Sequence, residues 1–416
     1  MKEQKYLKII GNRQINGIVK VSGSKNAALP LIAAALLVKG KTILHNVPDI
    51  LDVTIMIKII NYLNVKTSFK DNTLIIDTTK MKVKDLNIEE VRQIRASYYL
   101  IGPLLEEFSS IKFYDVGGCN FDARPIDLHL DILKNVGCKI SKNEDTYILK
   151  IDRFNDLNYK FERKSLGATI NAILIGAKTK KNVKIENYSL EPEVDSLLGF
   201  LSKAGLLVNK NEKELTFSLE KDLLEVEYDV IPDRIEAETF ALLGLALGKI
   251  GIFDFVKEHH ASFLKLLDEN KVFYEIEDNF LKIDRQLDFD SNYIILGEYP
   301  LIPTDIGPIL LSFSLLCNKF FMFEDLIYPY RLSKLTFFYN TFSFNQRKLL
   351  VNPTRTIGNN KCFYGTNLRD TMAYLFYCLT HDGEYNLFGL QHLFRGYENI
   401  IDKLISLNCK VNIIDE

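Results

Sequence analysis

Residues Gly117 to His129 read G-G-C-N-F-D-A-R-P-I-D-L-H, with a thiol at 119 and a guanidinium at 124 behind a pair of glycines. Paired glycines let the backbone make a tight excursion. An Arg-Pro pair just before a helical pattern delivers a cation at the helix start. A thiol does chemistry through its thiolate or through a proton it can deliver, and a guanidinium such as Arg124 supplies part of that environment. Cys119 is therefore the first candidate for a reactive group. A solitary cysteine is more often a small buried hydrophobe, but core cysteines seldom follow a Gly-Gly turn.

A second set of chemistry-bearing residues stands where apolar helical patterns begin. Lys25 and Asn26, Arg95, Ser165 with Thr169, Asp233 and Arg234, Asp305, and Arg369 with Asp370 all sit at or beside such a start. Helix N-termini present unpaired N–H groups and partial positive charge, so several of them aimed at one place would hold an anion. Ser24, Ser165 and Thr304 read as simple caps. Capping does not explain Lys25 or Arg95, since cations oppose the dipole at that end, and each calls for an anionic partner or ligand.

The elements that must position these residues repeat. Six times the chain runs through an apolar helix, a short turn, a β-rich strand, a loop, a second helix and a final strand, in units of roughly 65 to 70 residues. The units open near Ser24, Arg95, Gly167, Arg234, Asp305 and Arg369. Their first helices are apolar on nearly every face, as helices buried inside a domain must be. The copy count divides the chain into two α/β domains of three units. Tyr6 to Val21 reads as two short strands around an Asn16-Gly17 turn and fits either half. From Thr336 to Lys361 the pattern is strand-like without clean alternation and takes no assigned role.

The totals agree with a large globular chain. At 416 residues it exceeds one ordinary core. Its 47% hydrophobic and 25% charged residues are those of a folded soluble protein. The formal net charge of -2 gives no field to recruit nucleic acid or an anionic membrane. Six cysteines show no C-x-x-C spacing and no clustering with the six histidines, which points to reduced thiols and no metal site. The N-terminus lacks an apolar signal region, and the apolar run Ala27 to Val38 is too short to span a bilayer. These features predict a cytoplasmic protein.

Together, S-G-S-K-N-A-A-L-P, N-V-P-D-I-L-D-V, I-R-A-S-Y-Y-L-I-G-P-L-L, the Gly117 loop, Y-P-L-I-P-T-D and F-R-G-Y-E-N-I-I-D-K-L resemble the UDP-N-acetylglucosamine 1-carboxyvinyltransferases, in order along essentially the whole chain. The resemblance implies a two-domain inside-out α/β barrel of six βαβαββ-like units, three per domain. The domains would span residues 25–232 and 1–24 plus 233–416, with the active site in the cleft between them. It implies transfer of the enolpyruvyl group of phosphoenolpyruvate to the 3-hydroxyl of UDP-N-acetylglucosamine, with release of phosphate, as the opening step of peptidoglycan synthesis. No cofactor, metal or obligate protein partner is implied, only the two small-molecule substrates.

On the matching motifs, Cys119, Asp305 and Lys25 are the catalytic candidates, with Asp305 as the base and Cys119 as a proton donor or adduct-forming thiol open to fosfomycin. Lys25, Asn26, Arg124, Arg395 and Arg331 match the phosphoenolpyruvate site. Asn26, Arg95, Arg124, Pro125, Asp127, Leu128, Ser165, Leu166, Gly167, Asp305 and Ile327 match the UDP-sugar site. Asp52, Asp233, Glu191 and His129 lie on the same motifs, with structural roles and direct contact both open. Two domains around an anionic ligand should close on it, with the Gly117 to Arg124 loop as lid.

The chain departs from the family at Asn367, where an aspartate is usual, at Val116 and Asp122 in the loop, and between 332 and 366. The departures leave room for a catalytically reduced paralogue that senses UDP-sugar. A shikimate-pathway enolpyruvyl transferase shares the fold, but the Gly-Gly-Cys loop and R-P-I-D-L-H argue against it.

Overall fold

A computed structural model describes residues 5–105, 109–115, 126–179, 181–290, 292–335, 342–345, 347–352 and 361–415. The described chain falls into two compact units, one of residues 23–231 and the other of residues 5–22 with 232–415. Each has its own hydrophobic core.

Helices apolar all round lie at the centre of each core. Lys25–Ala35 buries every residue from Ala27 to Ala35. Leu166–Thr179 buries all but Leu166, Gly167 and Lys178. In the second unit Arg234–Leu247 is buried at every position, and Leu368–Thr380 at all but Asp370. Such helices lose water on every side, so their only polar outlets are their ends. That is why the charged residues collect at their N-termini.

Three small sheets surround the core helices in each unit, counted among the described residues, and one strand order recurs. Lys41–His45 lies between a parallel neighbour, Val226–Asp229, and an antiparallel one, Thr73–Asp77, which continues to Lys66–Lys70. Val183–Glu186 has Leu157–Lys160 in parallel and then Glu214–Ser218 and Leu207–Lys210. Ser109–Tyr114 pairs with Thr146–Ile151 and that with Lys139–Asn143, while Leu86 makes a parallel bridge to Phe113.

In the second unit Gly248–Phe253 is flanked by Ile15–Lys20 in parallel and by Phe280–Ile283, then Tyr274–Glu277. Phe321–Asp325 is flanked by Tyr293–Gly297 in parallel and by Lys348–Val351, then Phe342–Asn345. Glu384–Phe388 is flanked by Cys362–Tyr364 in parallel and by Tyr6–Ile10, then Lys410–Ile414. Parallel neighbours need crossover connections, and the buried helices supply several of them.

The first two strands correct the hairpin expected around Asn16-Gly17. Tyr6–Ile10 and Ile15–Lys20 join two different sheets of the second unit, and Gly17 stands inside the second strand. Its φ is +151°, and a Cβ there would lie 3.0 Å from the Ser406 carbonyl oxygen and 3.3 Å from Leu407 Cδ2. The glycine serves a close backbone approach, which a local reading cannot tell from a turn. The illegible stretch after Thr336 contains the hairpin Phe342–Asn345 with Lys348–Val351, and residues 336–341, 346 and 353–360 lie outside the described residues. No helix among the described residues is long and apolar enough to cross a membrane.

Candidate active site

In the second unit the chemistry converges on Asp305. The short strand Ile302–Pro303 runs parallel to Tyr293–Gly297 and ends where the helix Gly307–Ser314 is about to begin, leaving Thr304 and Asp305 on the connecting turn. The next strand ends at Asp325, whose carboxylate accepts from the N–H groups of Ile327 at 2.9 Å and Tyr328 at 2.8 Å, and also from the Thr304 hydroxyl. These bonds fold the turn that carries Ile327, 37% exposed, and returns Arg331 to the core. Arg331 Nη1 then donates to Thr304 Oγ1 at 3.0 Å and pairs with Asp305 Oδ1 at 2.8 Å.

Arg369, in the first turn of Leu368–Thr380, reaches the other oxygen. Its Nη2 lies 2.8 Å from Asp305 Oδ2, and its Nη1 donates to the Tyr397 hydroxyl at 3.1 Å. One carboxylate is thus gripped by two buried guanidiniums, one on each oxygen. Burial alone would raise the Asp305 carboxyl, but Arg369 and then Arg331 overturn it and hold the group well below the usual carboxylate range. Burial works against the Arg369 charge too, and Asp305 restores it, so the guanidinium ends above its ordinary value. In this state Asp305 is an ionised counter-ion and a poor base.

Beside this cluster lies a recess of about 300 Å³ into which Arg331, Arg369 and Lys334 contribute positive charge. Its carboxylate, Asp370, is occupied: it accepts from the Asn367 and Thr366 backbones at 2.9 and 3.2 Å, from Asn367 Nδ2 at 2.8 Å and from the hydroxyls of Thr366 and Thr371. The recess suits a small carboxylate or phosphate. Arg395 closes the short 3-10 helix Leu390–Arg395, and Gly396 follows with its Cα so close to Leu368 that a Cβ would lie 2.5 Å from Leu368 Cδ2. That approach sets Arg395 and Tyr397 against the first turn that bears Arg369.

In the first unit Lys25 opens its helix, and its Nζ lies 3.4 Å from Asp52 Oδ2. Asp52 sits in the first turn of Leu51–Tyr62, where the helix dipole favours a carboxylate. It supplies the anion that Lys25 called for. Asn26 follows, half-buried.

A second group forms where three segments meet. The Arg95 guanidinium stands 6.0 Å from the Tyr98 ring centroid, and Tyr98 stacks on His129 at 5.4 Å. His129 Nδ1 lies 3.0 Å from Asn171 Nδ2, and a Cβ on Gly167 would lie 3.6 Å from His129 Nε2 and 3.5 Å from the Tyr99 hydroxyl. Leu128 is buried, Asp127 pairs with Arg163 at 2.5 Å, and Ser165 and Leu166 open the helix that Gly167 continues. Burial would raise Asp127, and the Arg163 hydrogen bond wins and lowers it.

Of the three residues read as caps, Ser165 accepts from Ala168 N at 3.3 Å, Ser24 makes no cap bond, and Thr304 is spent on Asp325 and Arg331. Asp233 caps Arg234–Leu247 through Ile235 N at 2.9 Å and Glu236 N at 3.1 Å, and Glu191 accepts from Ser189. Cys119, Arg124, Pro125 and their loop lie outside the described residues. Cys138, Cys317, Cys378 and Cys409 are buried, and burial pushes each thiol up, to about 11 for Cys138 and about 12 for Cys317 and Cys409. They are packing residues. Among the described residues no group of three His, Cys, Asp or Glu could hold a metal ion. The motifs mark Arg369 only as a helix-start residue and give Tyr397 no role. The Arg-Asp pair behind a capping asparagine was the available signal.

Two solved enolpyruvyl transferases share this fold. The enolpyruvyl transferase NikO from Streptomyces tendae matches with a TM-score of 0.88 over 100% of both chains at 19% identity. An EPSP synthase from Acinetobacter baumannii matches with a TM-score of 0.73 over 99% of this chain and 100% of its own at 11% identity. The profile of EPSP synthase (3-phosphoshikimate 1-carboxyvinyltransferase) matches residues 9–282. The UDP-N-acetylglucosamine 1-carboxyvinyltransferase of Kosmotoga olearia is 31% identical over 98% of each chain, and that of Campylobacter fetus 30% identical over 99% of this chain and 100% of its own. The chain belongs to the EPSP synthase family, in its UDP-N-acetylglucosamine 1-carboxyvinyltransferase branch.

Proposed function

We infer that this enzyme transfers the enolpyruvyl group of phosphoenolpyruvate to the 3-hydroxyl of UDP-N-acetylglucosamine and releases phosphate, for peptidoglycan synthesis. The observation that carries it is Asp305 between Arg331 and Arg369 beside a cationic recess, in a chain related along its whole length to enzymes of that name.

We assign the steps as follows. Lys25, Asn26, Arg124, Arg331 and Arg395 bind phosphoenolpyruvate, whose phosphate and carboxylate both ask for fixed cations. Asn26, Arg95, Arg124, Pro125, Asp127, Leu128, Ser165, Leu166, Gly167, Asp305 and Ile327 bind the UDP-sugar. Cys119 delivers a proton to the methylene carbon, leaving a cationic carbon that bears the phosphate. The sugar 3-hydroxyl attacks that carbon and gives its proton to Asp305, forming a tetrahedral ketal. The bond to the phosphate oxygen then breaks, the methyl group returns a proton, and the enol ether remains. The recurring strand order supports a sixfold duplicated fold. The enzyme works in the cytoplasm on its two small substrates, without an obligate protein partner.

Phosphate release by purified protein, with each substrate omitted in turn, tests the assignment. Release that needs both substrates is the expected result. Binding of UDP-N-acetylglucosamine without release would overturn it in favour of a sensor.

A further inference from the structure

We propose that Tyr397 is a positioning residue for this reaction, fixing the guanidinium of Arg369 on Asp305 through a one-way chain of hydrogen bonds anchored in the helix Arg234–Leu247. The inference rests on the role given to Asp305 above.

The chain's direction follows from counting protons. Thr239, buried inside that helix, has one hydroxyl proton, and it goes to the Ile235 carbonyl one turn back at 2.6 Å. At the 3.2 Å contact with Tyr397, Thr239 Oγ1 is therefore the acceptor and the phenol the donor. With its own proton committed, the Tyr397 oxygen accepts from Arg369 Nη1 at 3.1 Å. Arg369 Nη2 is left for Asp305 Oδ2 at 2.8 Å. Every link has one orientation, so the helix backbone dictates where the guanidinium plane stands.

Burial makes the arrangement rigid. Tyr397 and Thr239 are each 1% exposed, so on the side of Arg369 away from the recess water cannot stand in for a lost partner. A guanidinium held at both terminal nitrogens cannot rotate about its Nε–Cζ bond, whereas one held only at Asp305 can pivot. Filling the space would need only a phenyl ring, and the hydroxyl adds the second hold.

The test is Tyr397→Phe, which keeps the ring. In protein labelled with ¹⁵N-arginine, the Nη signals of Arg369, assigned by their loss in Arg369→Lys, are expected to be separate in the parent and merged in the variant. The kcat is expected to fall about tenfold, as a carboxylate no longer set in place loses on the order of one decade, with the KM for UDP-N-acetylglucosamine held. Thr239→Val, which removes the acceptor from the phenol, should broaden the same signals, and Thr239→Ser should restore them. Separate Arg369 signals in folded Tyr397→Phe, or an unchanged kcat, would overturn the proposal. Absence of phosphate release by the parent would instead strike the assigned reaction and leave the labelling result standing.

Discussion

At Asp305 two guanidiniums hold one carboxylate in its ionised form. Replacing it by asparagine keeps the shape and removes the charge. For Asp305→Asn, turnover is expected to fall by about 10²- to 10⁴-fold, the range of a lost general base, when phosphate release is followed. Inorganic phosphate or phosphoenolpyruvate should bind the same variant more tightly, because Arg331 and Arg369 have lost their internal counter-ion. Weaker anion binding, measured by calorimetry, would contradict the recess as an anion site. Cys119→Asp is expected to keep turnover, since a carboxyl group can carry the proton, and to resist labelling by fosfomycin, which mass spectrometry reads directly.

Among the elements, the N-terminus of Leu368–Thr380 is organised by Asn367. Asn367 accepts from Arg369 N and Asp370 N, both at 3.1 Å, while its Nδ2 donates to Asp370 Oδ2 at 2.8 Å in a full capping box. The negative charge that favours a helix N-terminus is supplied by Asp370 in the first turn. Asn367→Asp would set two carboxylates against each other across that contact. The expected cost is about 1 kcal/mol at such a distance, seen in chemical denaturation, and Asn367→Asp with Asp370→Asn should recover it. A stabilised single variant would show that the two sites do not interact. Gly17→Ala in the strand Ile15–Lys20 is expected to destabilise by about 1 to 3 kcal/mol, because an L side chain at a φ of +151° is strained and its Cβ would crowd the Ser406 carbonyl and Leu407.

At the scale of the whole molecule, buried titratable groups outside the site give the protein a pH dependence of its own. Burial pushes Glu236 up from 4.5 to about 7, against the pull of its partner Lys403. An acid raised on folding contributes stability fully present below pH 4.5 and lost as the pH climbs through about 7. At about 1.4 kcal/mol per unit that is a loss of about 3 kcal/mol. His381, which ends the helix Leu368–Thr380 with its ring 3.9 Å from that of Tyr377, is lowered by burial from 6.5 to about 4. Its contribution is present above 6.5 and lost as the pH falls through about 4. Denaturation across this range should therefore find Glu236→Gln flatter than the parent between pH 5 and pH 7.5, whatever its absolute stability. An identical slope would remove Glu236 as the cause.

By itself the sequence determined which helices are buried and where their polar ends fall, because apolar periodicity and cap chemistry are local properties. Its motifs identified the family, since Lys25, Asp305 and the Gly117 loop stand in short runs whose residue types are tied to one chemistry. Tertiary structure alone decided the partners. Asp305 meets Arg369 across 64 residues and Thr239 meets Tyr397 across 158, and no periodicity carries such distances. Packing also decided that Gly17 is a close approach and not a turn, that the first two strands enter different sheets, and that Thr304 ties Asp325 to Arg331 in place of capping a helix. The physical reason is the same in each case: a side chain's local preference names the kinds of bond it can make, and burial beside a particular neighbour selects one of them.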